Sequence, residues 1–247
     1  MEDAIINLGG VPVYVLGLLA TFCFLWGAFV FYKKSVEAHF EDEAILDMIV
    51  LGAFWGFILS RLGFILTHIS MFLGHWSRVF LLNNYPGLDR WGFWTGLLLG
   101  LYFLSRRMKY KFLDLLDMAC LGILSGMSLF WVGLSLVAFQ WQFVLIGVLL
   151  FLGFLLFWSL EKKYRLIEWY RAQRTSARSG FVSGFSLAYL GLVFGVELII
   201  YISVSVWPIV WMAIMVVTGL LLVYIRSGRV WSEDINSLKI WKKKTKK

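Results

Sequence analysis

EAILDMIVLGAFWGFILSRLGFIL, residues 43–66, is the stretch that decides the fold. It is long enough to cross a bilayer as a helix, which takes about 20 residues. Its charged side chains are Glu43 and Asp47 near the start and Arg61 near the end. Because a charge deep in hydrocarbon costs about 2.5–3.5 kcal/mol on insertion scales, Arg61 must face polar groups or a partner.

The whole chain shares this apolar character, being 247 residues long, 60% hydrophobic and only 15% charged. It predicts an all-α, polytopic membrane helical bundle with about seven transmembrane helices, at 11–32, 44–68, 91–105, 112–138, 141–159, 181–204 and 207–226. We expect residues 1–230 to form a single transmembrane helical domain and 231–247 a basic cytoplasmic tail. The first span follows acidic rather than basic residues, so we expect it to be retained, not cleaved as a signal peptide.

Basic residues indicate the orientation. With the N-terminus outside and the C-terminus cytoplasmic, 20 of the 23 Lys and Arg residues fall on the inner side, as the positive-inside rule requires. The net charge of +8 then describes a membrane face that meets anionic headgroups. A nucleic-acid partner is not expected.

Two connections have the pattern of helices lying at the membrane surface, 69–80 and 164–174, because aromatic and basic residues recur there at helical spacing. No repeated period is expected along the chain.

Glu197 is the strongest counterpart for Arg61 among the predicted spans. Each lies seven residues before the end of its predicted helix, or about 10 Å along a helix axis. We hypothesise that the two side chains face one cavity in the outer half of the membrane and contact a lipid headgroup. A buried ion pair that only fixes helix packing is the alternative.

Other candidate sites are weaker. Asp114 and Asp117 lie one turn apart at the start of a predicted helix, where acids interact favourably with the helix dipole; a functional carboxylate pair is the alternative. The cysteines and histidines lack metal-ligand spacing, so no metal site is expected. The serines among the late glycines have no histidine at membrane depth, which disfavours a serine protease.

Three segments resemble the front half of the bacterial prolipoprotein diacylglyceryl transferase family. They are PVYVLGLLATFCFLWGAFVFYKK, EAILDMIVLGAFWGFILSRLGFIL and DRWGFWTGLLLGLYFLSRRMKYKFLDLLDMA, and the later GFVSGFSLAYLGLVFGVELI is similar to that family's sixth helix. The resemblance implies seven spans in the bacterial plasma membrane. It also implies transfer of diacylglyceryl from phosphatidylglycerol to the lipobox cysteine of a preprolipoprotein, without a cofactor.

The family's catalytic positions are not kept, so the catalytic residues are unknown. Its His-Gly motif should fall at 93–96, where Trp94 or Thr95 replaces histidine, and its fourth-helix arginine falls at Trp131. The sixth-helix arginine should fall at 193–194, which holds valine and phenylalanine, and the outer head region is absent between the fourth and fifth spans.

Arg61 and Glu197 remain the candidate lipid-headgroup residues. The resemblance leaves three interpretations open: an active transferase, a non-catalytic homologue that binds phospholipid or a lipoprotein precursor, and a small transporter. Transport is the least favoured, because the clearest polar pair lies nearer the outer surface than the bilayer midplane.

Overall fold

A computed structural model of the full chain describes residues 4–8, 11–73, 87–170, 179–200 and 206–227. Two short strands, β1 (Ala4–Leu8) and β2 (Val11–Tyr14), pair antiparallel and are followed by the helices. These are α1 (Val15–Glu37), α2 (Asp42–Thr67), α3 (Ile69–Phe72), α4 (Arg90–Arg107), α5 (Phe112–Ala138), α6 (Trp141–Tyr170), α7 (Phe181–Ile200) and α8 (Val206–Arg226).

The prediction of a polytopic helical membrane bundle is confirmed. Six helices among the described residues, α1, α2, α5, α6, α7 and α8, are long and apolar enough to cross a membrane. The seventh predicted span is present as α4, whose basic residues at both ends place it outside that group.

Several predicted boundaries are corrected. Residues 11–14 belong to β2, so α1 begins at Val15 rather than at residue 11. Helix α6 continues to Tyr170, so part of the predicted surface helix at 164–174 extends the fifth span. Of the other predicted surface helix, only the single turn α3 lies within the described residues, and 74–80 lie outside them.

The helices fall into two compact units, residues 1–140 and 141–247. In the first unit, α1 packs against α5 and α2 against α4. One cluster of buried apolar side chains joins all four helices near the turns after α1 and α4: Phe31, Ile45, Met48, Leu101, Leu104, Leu115, Met118 and Ala119. In the second unit, α7 packs against α8, and α6 packs against α7.

Glycines let α2 and α4 approach at backbone distance. A Cβ atom added to Gly96 would overlap the Trp55 carbonyl oxygen and lie 2.8 Å from the Gly56 Cα. Gly92 meets the Leu59 carbonyl in the same way, one turn earlier in α4. Small residues commonly bring membrane helices together like this, because lipid supplies no hydrophobic drive for their association.

We expect Gly96→Ala to destabilise the protein by about 1–3 kcal/mol, the usual cost of overpacking a filled interface. Gly52→Ala is the matched control in α2, because an added Cβ there meets no atom within 4 Å. Thermal unfolding in detergent would compare the two variants. Equal unfolding temperatures for Gly96→Ala and Gly52→Ala would contradict backbone-close packing of α2 on α4.

Candidate functional site

Arg61 lies in the last two turns of α2 and is only 7% exposed to solvent. Its guanidinium donates a hydrogen bond from Nη1 to the carbonyl oxygen of Gly87, 3.0 Å away. The acceptor precedes α4 by a few residues, so the charge of α2 is tied to the chain that enters the next long helix. A buried cation thus has a polar partner on the neighbouring segment.

Two aromatic rings flank the same guanidinium. The Arg61 Cζ atom lies 5.6 Å from the ring centroid of Phe64 and 5.6 Å from that of Phe72. The two rings meet edge to face at 6.3 Å, and Phe72 is almost fully buried. Cation–π contacts of this kind stabilise a desolvated arginine, each by about 0.5–2 kcal/mol.

The start of α4 is fixed to α2 beside this arginine. The Ser60 hydroxyl donates to the Asp89 carbonyl oxygen at 2.8 Å, and the Asp89 N–H donates to the Ser60 carbonyl oxygen at 3.0 Å. The Asp89 side chain is the N-cap of α4, accepting a hydrogen bond from the Gly92 N–H at 2.5 Å. These bonds hold Gly87 and Arg61 in register.

Sequence reasoning missed this Ser60–Asp89 latch. An N-cap signal was present, since Asp89 directly precedes the apolar pattern of α4. Nothing in the sequence indicated that Ser60, 29 residues earlier, would bind the backbone of the same residue.

Glu197, the second candidate, lies near the end of α7 in the second unit and is partly buried. It makes interactions of its own within the described part of the chain. The cavity shared by Glu197 and Arg61 stays a prediction.

Buried charge also occurs at the far end of the first unit. Lys34, in the last turn of α1, is fully buried and forms an ion pair with Glu37 at 2.9 Å. Asp117 is 7% exposed in α5, whereas Asp114 lies in the first turn of that helix. The helix-dipole interpretation therefore fits Asp114, and sequence reasoning missed the burial of Lys34.

The positions that replace the family's catalytic residues offer no base. The Thr95 hydroxyl donates to carbonyl oxygens of its own helix, at Trp91 and Gly92, both 3.0 Å away. Trp131 is 9% exposed in α5, and its indole can only donate a hydrogen bond. Neither residue can take a proton from a thiol.

Fold and site together define a multi-pass helical membrane protein with an arginine buried near the end of a membrane span. A family model described as prolipoprotein diacylglyceryl transferase matches residues 3–133, more than half of the chain and nearly all of the first unit's helices. No curated protein matches the chain. The chain belongs to the prolipoprotein diacylglyceryl transferase family.

We expect Asp89→Ala to destabilise the protein by about 0.5–2 kcal/mol, because the first turn of α4 loses its N-cap. Asp89→Asn is the matched control, since the asparagine oxygen can still accept from Gly92 N–H. Hydrogen exchange of the amides at 90–93 would report the change directly. Unchanged protection in Asp89→Ala would show that the cap does not hold this turn.

Proposed function

We propose that this family member binds an anionic phospholipid, with phosphatidylglycerol the expected lipid, in the bacterial plasma membrane. The observation that carries the proposal is the buried guanidinium of Arg61, held between two rings at the end of a membrane span. Retaining such a charge in an apolar helix is costly. An anionic headgroup would offset that cost.

Orientation supports the same ligand. With the N-terminus outside, Arg61 lies about 10 Å below the outer boundary of the hydrocarbon, within reach of a headgroup drawn slightly inward. Arginine suits this role because its planar fork of N–H donors matches phosphate oxygens. The Gly87 carbonyl would then orient the guanidinium rather than neutralise it.

We propose further that the protein is a non-catalytic homologue. In diacylglyceryl transfer, the lipobox thiol loses its proton, its sulfur attacks a glycerol carbon, and the C–O bond to phosphate breaks, releasing glycerol phosphate. This requires a base or electropositive site for the thiolate and positive charge for the leaving phosphate. Trp94, Thr95 and Trp131 supply none of these.

Family membership favours the second candidate, an active transferase acting on a preprolipoprotein. The scaffold would suit a lipoprotein precursor in either case, because such a precursor also lies at the membrane surface. The two candidates differ only in whether a thioether-linked product forms.

Arg61→Leu should lose most of the phosphatidylglycerol that the wild-type protein retains through purification, since the replacement keeps the bulk and removes the charge. Arg61→Lys should retain part of it. Arg107→Leu, which removes an exposed cation at the opposite end of α4, is the control and should retain all of it. Native mass spectrometry of the purified proteins would count bound lipid.

Two results would contradict the proposal. Equal lipid retention in Arg61→Leu and wild type would remove Arg61 from the site. Steady conversion of a lipobox peptide and phosphatidylglycerol into diacylglyceryl peptide would show that the protein is a transferase.

The joint role of Glu197 makes a separate prediction. If Glu197 and Arg61 contact one headgroup, lipid losses in Arg61→Leu, Glu197→Gln and the double variant should be non-additive, with a coupling of about 0.5–3 kcal/mol. Strictly additive losses would assign the two residues to independent sites. Asp114→Asn, a first-turn carboxylate of α5, provides a control that should show no coupling to Arg61.

A further inference from the structure

Two segments of the first unit are related by a shift of 70 residues. LDMIVLGAFWGFILSRLGFILT, residues 46–67, and LDMACLGILSGMSLFWVGLSLV, residues 116–137, share nine identical residues in that register. The identities include the Leu-Asp-Met start and the glycines at 52, 56 and 63, which recur at 122, 126 and 133. The expectation that the chain has no repeat is therefore wrong.

The turns that lead into these segments obey the same shift. His39 and Lys109 both have left-handed backbones, with φ of 64° and 60°. The next N–H in each turn returns to a serine carbonyl, Phe40 to Ser35 at 3.1 Å and Tyr110 to Ser105 at 2.9 Å. Both helices thus end in the same Schellman-type turn.

Contacts between helices repeat as well. A Cβ atom on Gly63 would meet Asp89 of the α4 N-terminus at 3.0 Å, and one on Gly133 would meet Leu19, which lies 70 residues before Asp89. Likewise, Gly56 meets Phe93 and Gly126 meets Cys23, again 70 residues apart in both members. The same contacts occur twice, once between α2 and α4 and once between α5 and α1.

These contacts describe two copies of one helical hairpin, α1–α2 and α4–α5, packed crosswise around an approximate two-fold axis. Equivalent residues next to such an axis should touch each other, and Phe40 and Tyr110 do so, with ring centroids 5.0 Å apart. Identity, turn geometry and packing thus agree on one register.

In this register, the counterpart of Arg61 is Trp131. Both are buried, at 7% and 9% exposure, and both stand two residues before a glycine that contacts the partner helix. One hairpin therefore places a cation at this position and the other places a neutral aromatic ring.

We propose that Trp131 is a specificity-determining residue that limits the first unit to one anionic headgroup, by filling the second of two equivalent positions with a neutral side chain. This inference rests on the proposed lipid site at Arg61. An indole excludes a phosphate there in two ways, since it occupies the volume and supplies no charge to offset phosphate desolvation.

Trp131→Arg should retain one more phosphatidylglycerol per chain than wild type, counted by native mass spectrometry after purification in that lipid. Trp131→Lys, whose side chain is slimmer, makes the same cation with less demand on packing and should also gain one. Trp131→Leu, which opens the position without a charge, should gain none. Thermal unfolding would verify that each variant is folded.

The exchange variant R61W/W131R should retain one headgroup, as the wild type does, because its single cation has moved to the equivalent position. No gain in the folded arginine and lysine variants would overturn the proposal, as would a gain in Trp131→Leu.

A second comparison needs no substitution at Trp131. Wild type should retain one phosphatidylglycerol more than Arg61→Leu, and a difference of two would contradict the one-headgroup limit. The two hypotheses fail separately: no difference between wild type and Arg61→Leu refutes the Arg61 site itself. Loss in Arg61→Leu without gain in the folded Trp131 cation variants refutes only the role given to Trp131.

Discussion

The cost of holding a guanidinium inside an apolar helix governs the outer end of the first unit. Arg61 meets that cost with a backbone carbonyl at Gly87 and the faces of Phe64 and Phe72. Each partner is available only if α3 and the start of α4 lie against α2. The Ser60–Asp89 latch and the N-cap at Gly92 provide that placement. The charge and the local fold therefore require each other, which is why one side chain is informative about several elements.

Close helix packing makes this arrangement possible. Glycines at 92 and 96 let α4 run along α2 at backbone distance, which delivers the chain entering α4 to the level of Arg61. The crosswise repeat places an equivalent packing between α1 and α5. Duplication of a hairpin explains both contacts with one rule, and it explains why a cation appears at one position and an aromatic ring at its counterpart. The family scaffold thus has two similar halves with different chemistry.

Much of the fold follows from the sequence, because a span announces itself by length and hydropathy alone. The bounds of α5 were predicted to the residue, and those of α2 and α8 within two. The β1–β2 pair was missed, since short strands carry little periodic signal. Arg61 was recognised from its charge, but its partner Gly87 was not, because any residue can offer a carbonyl. The repeat was overlooked because its identities are mostly glycine and leucine, which are common in any membrane helix. Only paired contacts distinguish it from composition.

The central claim is that the Arg61 guanidinium faces a headgroup rather than serving packing alone. An electron cryo-microscopy map of the protein in phosphatidylglycerol nanodiscs tests it most directly. The account predicts phosphate density within hydrogen-bonding distance of Arg61, with the Gly87 bond and both ring contacts kept. A well-resolved map in which Arg61 contacts protein groups and acyl chains, with no phosphate beside it, would contradict the account.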